Sequence, residues 1–237
     1  MESQLRQLLL ISNSTLHGSG YLDHVEQEIR ALLGSVKRVL FVPFALHDRD
    51  AYASQARERF AAMGYELDSV HDAPAAGKAV AQAEALFIGG GNTFRLLHGL
   101  YQADLLRPIR SRVAAGMPYI GTSAGAVVAA PTIKTTNDMP IVETPSFQAL
   151  GLIRFQINAH YLDPDPASTH MGETREVRIM QFLEDNETPV VGLREGSLIR
   201  VTGGRQQLRG QTGARIFRRG QSPLEVQAGA ILDELLN

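Results

Sequence analysis

Two glycine-rich stretches and a few histidines and carboxylates hold the residue types from which chemistry could be built. The first stretch, Gly121-Thr-Ser-Ala-Gly125, sets Ser123 at the centre of a G-x-S-x-G pattern. Met117–Ile120 before it is short and apolar enough for a buried strand, and Ala124–Ala130 after it is small enough for a helix packed tightly on a sheet. That is the setting of a nucleophile elbow, in which a strand turns sharply into a helix and exposes one side chain at the apex. The helix then points N–H groups at any oxyanion that forms there. Small residues also gather around serines in ordinary tight turns, so the motif alone leaves both readings open.

The second stretch, Gly89-Gly-Gly-Asn-Thr93, follows the apolar run Ala85–Ile88. A glycine run lets the backbone curl and present several N–H groups, as an oxyanion hole, a phosphate cradle or a plain strand–helix turn. Neither a G-x-x-x-x-G-K-[ST] phosphate loop nor a G-x-G-x-x-G opening a helix is present. With Ser123 at the end of another strand, the oxyanion hole is the preferred reading.

A serine nucleophile needs a base, and the base needs an orienting group. Of seven histidines, His24, His71 and His98 fall on expected helix faces or loops with nothing convergent nearby, and read as solvated or lightly packed. His17 and His47 follow strand ends and are weaker candidates, and His170 reads as a partner for a helix cap. His160, directly after the strand Phe155–Asn158, is the best-placed base. Two acids compete for the third role. Glu195 stands just past a buried strand, in Gly-Leu-Arg-Glu-Gly196, and Asp138 stands in the polar loop after the elbow. Only the order Ser123, Asp138, His160 matches α/β-hydrolases, yet no H-G-G-G-like segment precedes the elbow. Either acid also reads as a surface carboxylate.

The elements that must position these residues follow from apolar periodicity. Strands are expected at Gln7–Ile11, Arg38–Val42, Tyr65–Val70, Ala85–Ile88 and Met117–Ile120, and helices at 21–33, 49–63, 75–83, from Phe94 onward, at 106–115 and after Ser123. Strand and helix alternating with short links imply α/β architecture: a doubly wound, mostly parallel sheet with helices on both faces, of the flavodoxin-like kind. Ligands of such sheets sit beyond the carboxyl ends of the strands, where both Gly89–Thr93 and Ser123 fall. The second half is less regular: a polar loop or hairpin at 131–140, a strand at 155–158, a rigid turn Asp163–Pro166, a helix at 172–183 and a strand at 189–193. Strands at 197–202, 206–208, 214–217 and 224–226 build a small antiparallel C-terminal part, and 232–236 is a terminal helical turn. No repeat or linker interrupts the chain, so residues 1–237 are taken as one domain.

The bulk composition narrows the function classes. A chain of 237 residues, 44% hydrophobic and 20% charged, is large enough for a full core. Net charge of −2 offers no basic footprint for nucleic acid. The absence of cysteine removes disulfides, thiolate metal sites and a cysteine nucleophile. Leu8–Ile11 is far too short to span a bilayer, and the first residues lack the pattern of a signal peptide, so a cytoplasmic protein without membrane contact is expected.

Taken together, the segments resemble those of the aspartyl dipeptidases (peptidase E) of the class I glutamine-amidotransferase-like superfamily. The resemblance rests on Leu-Ile-Ser-Asn-Ser-Thr-Leu16, Gly-Gly-Gly-Asn-Thr-Phe94 and Tyr-Ile-Gly-Thr-Ser-Ala-Gly-Ala126. It continues through Pro-Thr-Ile-Lys-Thr-Thr-Asn-Asp-Met-Pro-Ile-Val142, Gln-Ile-Asn-Ala-His160, Gly-Glu-Thr-Arg-Glu176 and Gly-Leu-Arg-Glu-Gly196. These segments run in order over most of the chain; the residues after 196 match only in general character. The resemblance implies hydrolysis of dipeptides with an N-terminal aspartate, by a serine nucleophile and with neither metal nor cofactor. On the matching positions it implies Ser123 as nucleophile, His160 as base, Glu195 as the acid orienting the base, and Asp138 near the substrate, holding its α-ammonium. It implies Arg175 as the cation for the substrate β-carboxylate, where a guanidinium gives a bidentate fork; a solvated helix arginine is the plain alternative. Oxyanion donors are expected from the N–H groups of Gly90 or Gly91 and of Ala124. The partner is then a small dipeptide, acted on by a monomer or homodimer. One departure, the two prolines of Tyr-Leu-Asp-Pro-Asp-Pro166, bears on the shape of any lid and on substrate breadth. Two rival readings are a cyanophycinase-like hydrolase of polymeric aspartyl peptides, less suited to a chain without large insertions, and a non-catalytic amidotransferase-like binding protein. An amidotransferase proper needs a cysteine at the elbow.

Overall fold

A computed structural model of the protein describes residues 5–167, 169 and 171–236; His170, read above as a cap partner, lies outside them. In chain order the first half holds β1 (Gln7–Ile11), α1 (Glu26–Leu33), β2 (Arg38–Val42), α2 (Arg49–Ala62), β3 (Glu66–Ser69), α3 (Ala76–Gln82), β4 (Ala85–Ile88), α4 (Thr93–Gln102), α5 (Leu106–Ala114), β5 (Tyr119–Thr122) and α6 (Ala124–Val127). The second half holds β6 (Gln156–Ala159), α7 (Arg175–Asp185), β7 (Val190–Leu193), β8 (Ser197–Thr202), β9 (Arg205–Gly210), β10 (Ala214–Phe217) and β11 (Leu224–Val226).

The central sheet has the order β3-β2-β4-β5-β1-β8-β9. Its first five strands are parallel, and β8 and β9 add antiparallel at one edge. Alternate residues of each central strand enter opposite cores, as the period of two demands when both faces are covered. Leu8, Leu10, Leu40, Val42, Leu86 and Ile88 face the core shared with α4, α5 and α6, whereas Leu9, Ile11, Val39, Phe41 and Phe87 face α1 and α2.

The C-terminal strands pair antiparallel, as expected, and divide between two sheets. β8 lies against β1 and closes the open edge of the central sheet, its Leu198 in one core and its Ile199 and Val201 in the other. A separate sheet of order β11-β10-β7-β6 gathers the rest, and within it β6 and β7 are parallel. One face of this second sheet (Ile157, Val191, Leu193, Ile216) joins the larger core, and the other (Val190, Phe217) is covered by Ile179 and Leu183 of α7.

Two helices start later than periodicity indicates, one after a 3-10 turn and the other at a side-chain cap. α1 follows a short 3-10 turn at Asp23–Val25 because Leu22 takes a left-handed φ of 61°. α7 begins at Arg175 because the Thr174 side chain accepts the Val177 N–H. The elbow helix α6 ends at Val127, short of Ala130, with Val128 as its C-cap. Among the described residues no helix is long and apolar enough to cross a membrane.

Candidate active site

β5 ends at Thr122, and the chain turns into α6 with Ser123 at φ 50°, ψ −111°. This is a conformation that few L-residues adopt, and it throws the hydroxyl out at the apex. The turn is held from several sides. The Ser123 N–H donates to the Ile11 carbonyl at 2.9 Å, and its own carbonyl receives the N–H groups of Ala126 and Val127. The buried Tyr119 hydroxyl donates to the Gly125 carbonyl at 2.6 Å, its ionisation pushed far up by burial. Gly125 passes so near β4 that a Cβ there would stand 2.1 Å from the Ile88 carbonyl oxygen. Glycine at this position is thus a packing requirement.

His160 follows β6, also at positive φ (52°). Its Nε2 lies 3.0 Å from Ser123 Oγ, and its Nδ1 lies 2.7 Å from Glu195 Oε1. Glu195 follows β7, so base and acid come from adjacent parallel strands of the second sheet, while the serine comes from the central one. The three form one continuous hydrogen-bonded chain.

Asp138, the competing acid, is engaged elsewhere. Its Oδ2 accepts from Thr93 N at 2.7 Å, Thr93 Oγ1 at 2.6 Å and Thr136 Oγ1 at 3.2 Å. It therefore sits on the N-terminus of α4, where a negative charge is favoured. The loop that carries it is stitched to β6: Thr135 Oγ1 donates to the Ile157 carbonyl, and Asn137 Nδ2 to the Ala159 carbonyl. Asp138 nonetheless lines the same cleft as Ser123 and His160. That cleft, of about 320 Å³, is also lined by Thr93, Ala124, Thr136 and Arg175.

Arg175 is the first residue of α7 and makes no ion pair or hydrogen bond with a described residue. Desolvation, then the like charge of Arg178, hold its pKa below the ordinary arginine value, and only the charge of Asp138 acts the other way. Such a guanidinium gains from an incoming anion. Its helix is anchored nearby, for Glu176 accepts from Arg215 at 2.6 Å.

The glycine loop lies against the serine: a Cβ on Gly90 would stand 3.0 Å from Ser123 Cβ. The two glycines differ in what their N–H groups meet. The Gly90 N–H faces the Tyr52 hydroxyl, whereas those of Gly91 and Ala124 find no backbone acceptor among the described residues. Gly91 has φ 133°, and any Cβ there would meet the Ala45 carbonyl oxygen at 2.7 Å, which fixes the loop as a glycine loop.

Two of the histidines set aside above have closer company than the sequence indicates. His71 reaches Ser69 and Asp50, with Asp72 beside it. His24 is half-buried and feels the charges of Asp23 and Glu195. Residues around the site that sequence reasoning passed over are Thr93, Thr136, Asn137, Arg194 and the strand-end pair Ser12–Asn13. Arg194 grips Asp163 through Nε at 2.7 Å and Nη2 at 2.8 Å and also pairs with Glu225, so it ties the segment after His160 to the residue next to Glu195. The signal for Ser12–Asn13 was available: buried-strand sequence giving way to polar residues at a carboxyl end is where α/β sheets keep functional groups.

The profile of Peptidase family S51 matches residues 8–209. Peptidase E of Streptomyces coelicolor is 52% identical over 97% of this chain and 95% of its own length. A Drosophila melanogaster protein described as a probable alpha-aspartyl dipeptidase is 48% identical over 90% of each chain. Among solved structures, a peptidase from an acI-B1 actinobacterium superposes with a TM-score of 0.71 at 18% identity, covering 98% of both chains. A Listeria monocytogenes structure titled as a putative peptidase E gives 0.66 at 21% identity, covering 87% of this chain and 99% of the other. At those identities the structural likeness speaks for the fold.

Proposed function

The chain belongs to peptidase family S51, and from that premise we infer that it is a serine-type dipeptidase that cleaves peptides after an N-terminal aspartate. The observation that carries the mechanism is the unbroken chain Ser123 Oγ–His160 Nε2 and His160 Nδ1–Glu195 Oε1, at 3.0 and 2.7 Å, opening on the cleft that Arg175 lines.

His160 takes the proton of Ser123 as the hydroxyl attacks the scissile carbonyl. The free N–H groups of Gly91 and Ala124 receive the developing oxyanion, each donor contributing roughly 3 kcal/mol to transition-state binding. His160, now an imidazolium stabilised by Glu195, returns the proton to the leaving amine, and water releases the aspartyl group by the reverse sequence. The two ends of the N-terminal aspartate are matched by opposite charges across the cleft. Arg175 takes the β-carboxylate, and Asp138, with one carboxylate oxygen engaged by Thr93 and Thr136, offers the other to the α-ammonium. Burying the substrate's carboxylate without a cation would be prohibitive, which makes Arg175 a selector as well as a binder. The cleft of about 320 Å³ lies at the small end of ligand sites, in keeping with a dipeptide.

The test is steady-state hydrolysis of Asp-Leu, Glu-Leu, Asn-Leu and Leu-Leu by the wild type and by Ser123→Ala. Cleavage of Asp-Leu alone, abolished by the substitution, is the expected result. Activity that survives in Ser123→Ala would remove the serine mechanism, and a wild type inert toward all four peptides would remove the dipeptidase reading.

A further inference from the structure

We propose that Ser12–Asn13, at the carboxyl end of β1, is a positioning element that locks nucleophile, base and acid to one another across the two sheets, an assignment that rests on Ser123, His160 and Glu195 forming the triad.

Three consecutive residues of one strand end reach the nucleophile, the base and the residue after the acid. The Ile11 carbonyl accepts the Ser123 N–H at 2.9 Å. The Ser12 hydroxyl accepts the His160 N–H at 2.9 Å and donates to the Leu193 carbonyl at 2.7 Å. Asn13 Oδ1 accepts the Gly196 N–H at 2.8 Å, while its Nδ2 is spent on the Thr15 carbonyl at 2.9 Å. Ser12 is 0% and Asn13 1% exposed, so these bonds form without competition from water.

The need for such a device follows from the topology. Ser123 leaves the central sheet, whereas His160 and Glu195 leave the second one, and among the described residues no strand ladder joins the two sheets. β6 finishes at Ala159 and His160 turns to positive φ, so its N–H has no strand neighbour to meet. A hydroxyl is the smallest side chain that can accept from one strand end and donate to the next. Residue 12 thereby joins the base to the end of β7, two residues before the acid, and residue 13 holds the residue just after the acid. The 3.0 Å contact between His160 and Ser123 is therefore set by bonds lying behind the triad. A role confined to stability would not require all of these long-range bonds, the local Asn13 Nδ2–Thr15 contact aside, to end on, or within two residues of, a triad member.

The experiment compares wild type with Ser12→Ala, Ser12→Cys, Ser12→Thr and Asn13→Ala, with Ser123→Ala as reference, and confirms folding by circular dichroism and melting. Cysteine fills nearly the same buried space with far weaker hydrogen bonding, and threonine keeps the hydroxyl. Two quantities are read: the kcat–KM split on Asp-Leu, and the second-order rate at which a small fluorophosphonate labels Ser123, which is indifferent to substrate binding. The expected result for folded Ser12→Cys and Ser12→Ala is a loss of about 10- to 100-fold in both kcat and labelling rate, the scale of a misplacement of about 1 Å, with KM within about twofold. Asn13→Ala should lose less, and Ser12→Thr should recover most of the rate. Labelling and kcat within about twofold of wild type in any folded Ser12→Cys or Ser12→Ala protein would overturn the proposal while leaving the triad standing. If neither folds, the same outcome in Asn13→Ala overturns it. Hydrolysis retained by Ser123→Ala would instead overturn the triad beneath it.

Discussion

Replacing Glu195 with glutamine separates charge from geometry at the base. With the amide turned so that its oxygen accepts from His160 Nδ1–H, the ring keeps its orientation and tautomer, but the imidazolium formed during the reaction loses its counter-charge. Nδ1 and Oε1 are 2.7 Å apart, and the two side chains are 41% and 50% exposed. Unit charges centred roughly 4 Å apart attract by about 1 kcal/mol in water and about 4 kcal/mol at the effective dielectric of a protein surface. Half exposure puts this pair between those limits, at about 2 kcal/mol, which is about 30-fold in kcat. A far larger loss, roughly 10⁴-fold, would mean that the amide NH2 has turned to Nδ1 and fixed the wrong imidazole tautomer. Because the attraction is partly through solvent, salt should narrow the gap between wild type and Glu195→Gln. The assay is kcat and KM for Asp-Leu at low and at molar ionic strength, with Asp138→Asn in parallel. Asp138 touches Thr93 and Thr136 rather than the imidazole, so its loss should fall mainly on KM. A kcat within threefold of wild type for Glu195→Gln, together with a loss of about 30-fold or more in kcat for Asp138→Asn, would exchange the roles of the two acids and refute the reasoning.

Two further expectations can be checked on the same protein. Arg175→Met should lower kcat/KM for Asp-Leu by about 100-fold, the value of roughly 3 kcal/mol of charge-assisted hydrogen bonding, while leaving any residual Leu-Leu cleavage unchanged; an equal loss on both peptides would deny it a part in selectivity. The Asp163 carboxyl is held below its usual pKa by hydrogen bonding to Arg194 and, less strongly, by the charges of Arg194 and Arg215. A depressed carboxylate stabilises the fold above its unfolded pKa, near 4, and loses that contribution as pH falls through the folded value. The melting temperature of wild type should thus exceed that of Asp163→Asn at neutral pH by a few degrees at most, since Asp163 is about half-exposed, and the gap should close as pH falls below about 4; a constant gap from pH 7 to 3 would contradict the pairing.

The sequence made much of the first half legible, because each element there announces itself locally. Val39–Val42 and Ala85–Ile88 are unbroken apolar runs, α4 carries an Asn92 cap whose side chain accepts from Arg95, and Gly91 and Gly125 stand where backbones nearly touch. The second half was legible as elements and opaque as topology. Nothing local tells Ser197–Thr202 to pair with β1, some 190 residues away, or tells β6 and β7 to build a sheet of their own. The choice between Asp138 and Glu195 was opaque for the same reason: each carboxylate follows a polar loop or strand end, and only the assembled fold directs one to Thr93 and the other to His160. Ser12 and Asn13 act on backbone groups 148 and 183 positions away, a distance at which residue type carries no signal of its partner.

The backbone at Ser123, φ 50° and ψ −111°, is one that glycine adopts freely and that other residues hold at a cost of about 1–3 kcal/mol. Foldability and turnover therefore pull this single codon in opposite directions. Glycine at the apex would relieve that strain and remove the nucleophile in the same step, so Ser123→Gly is the substitution at which loss of turnover and relief of backbone strain coincide.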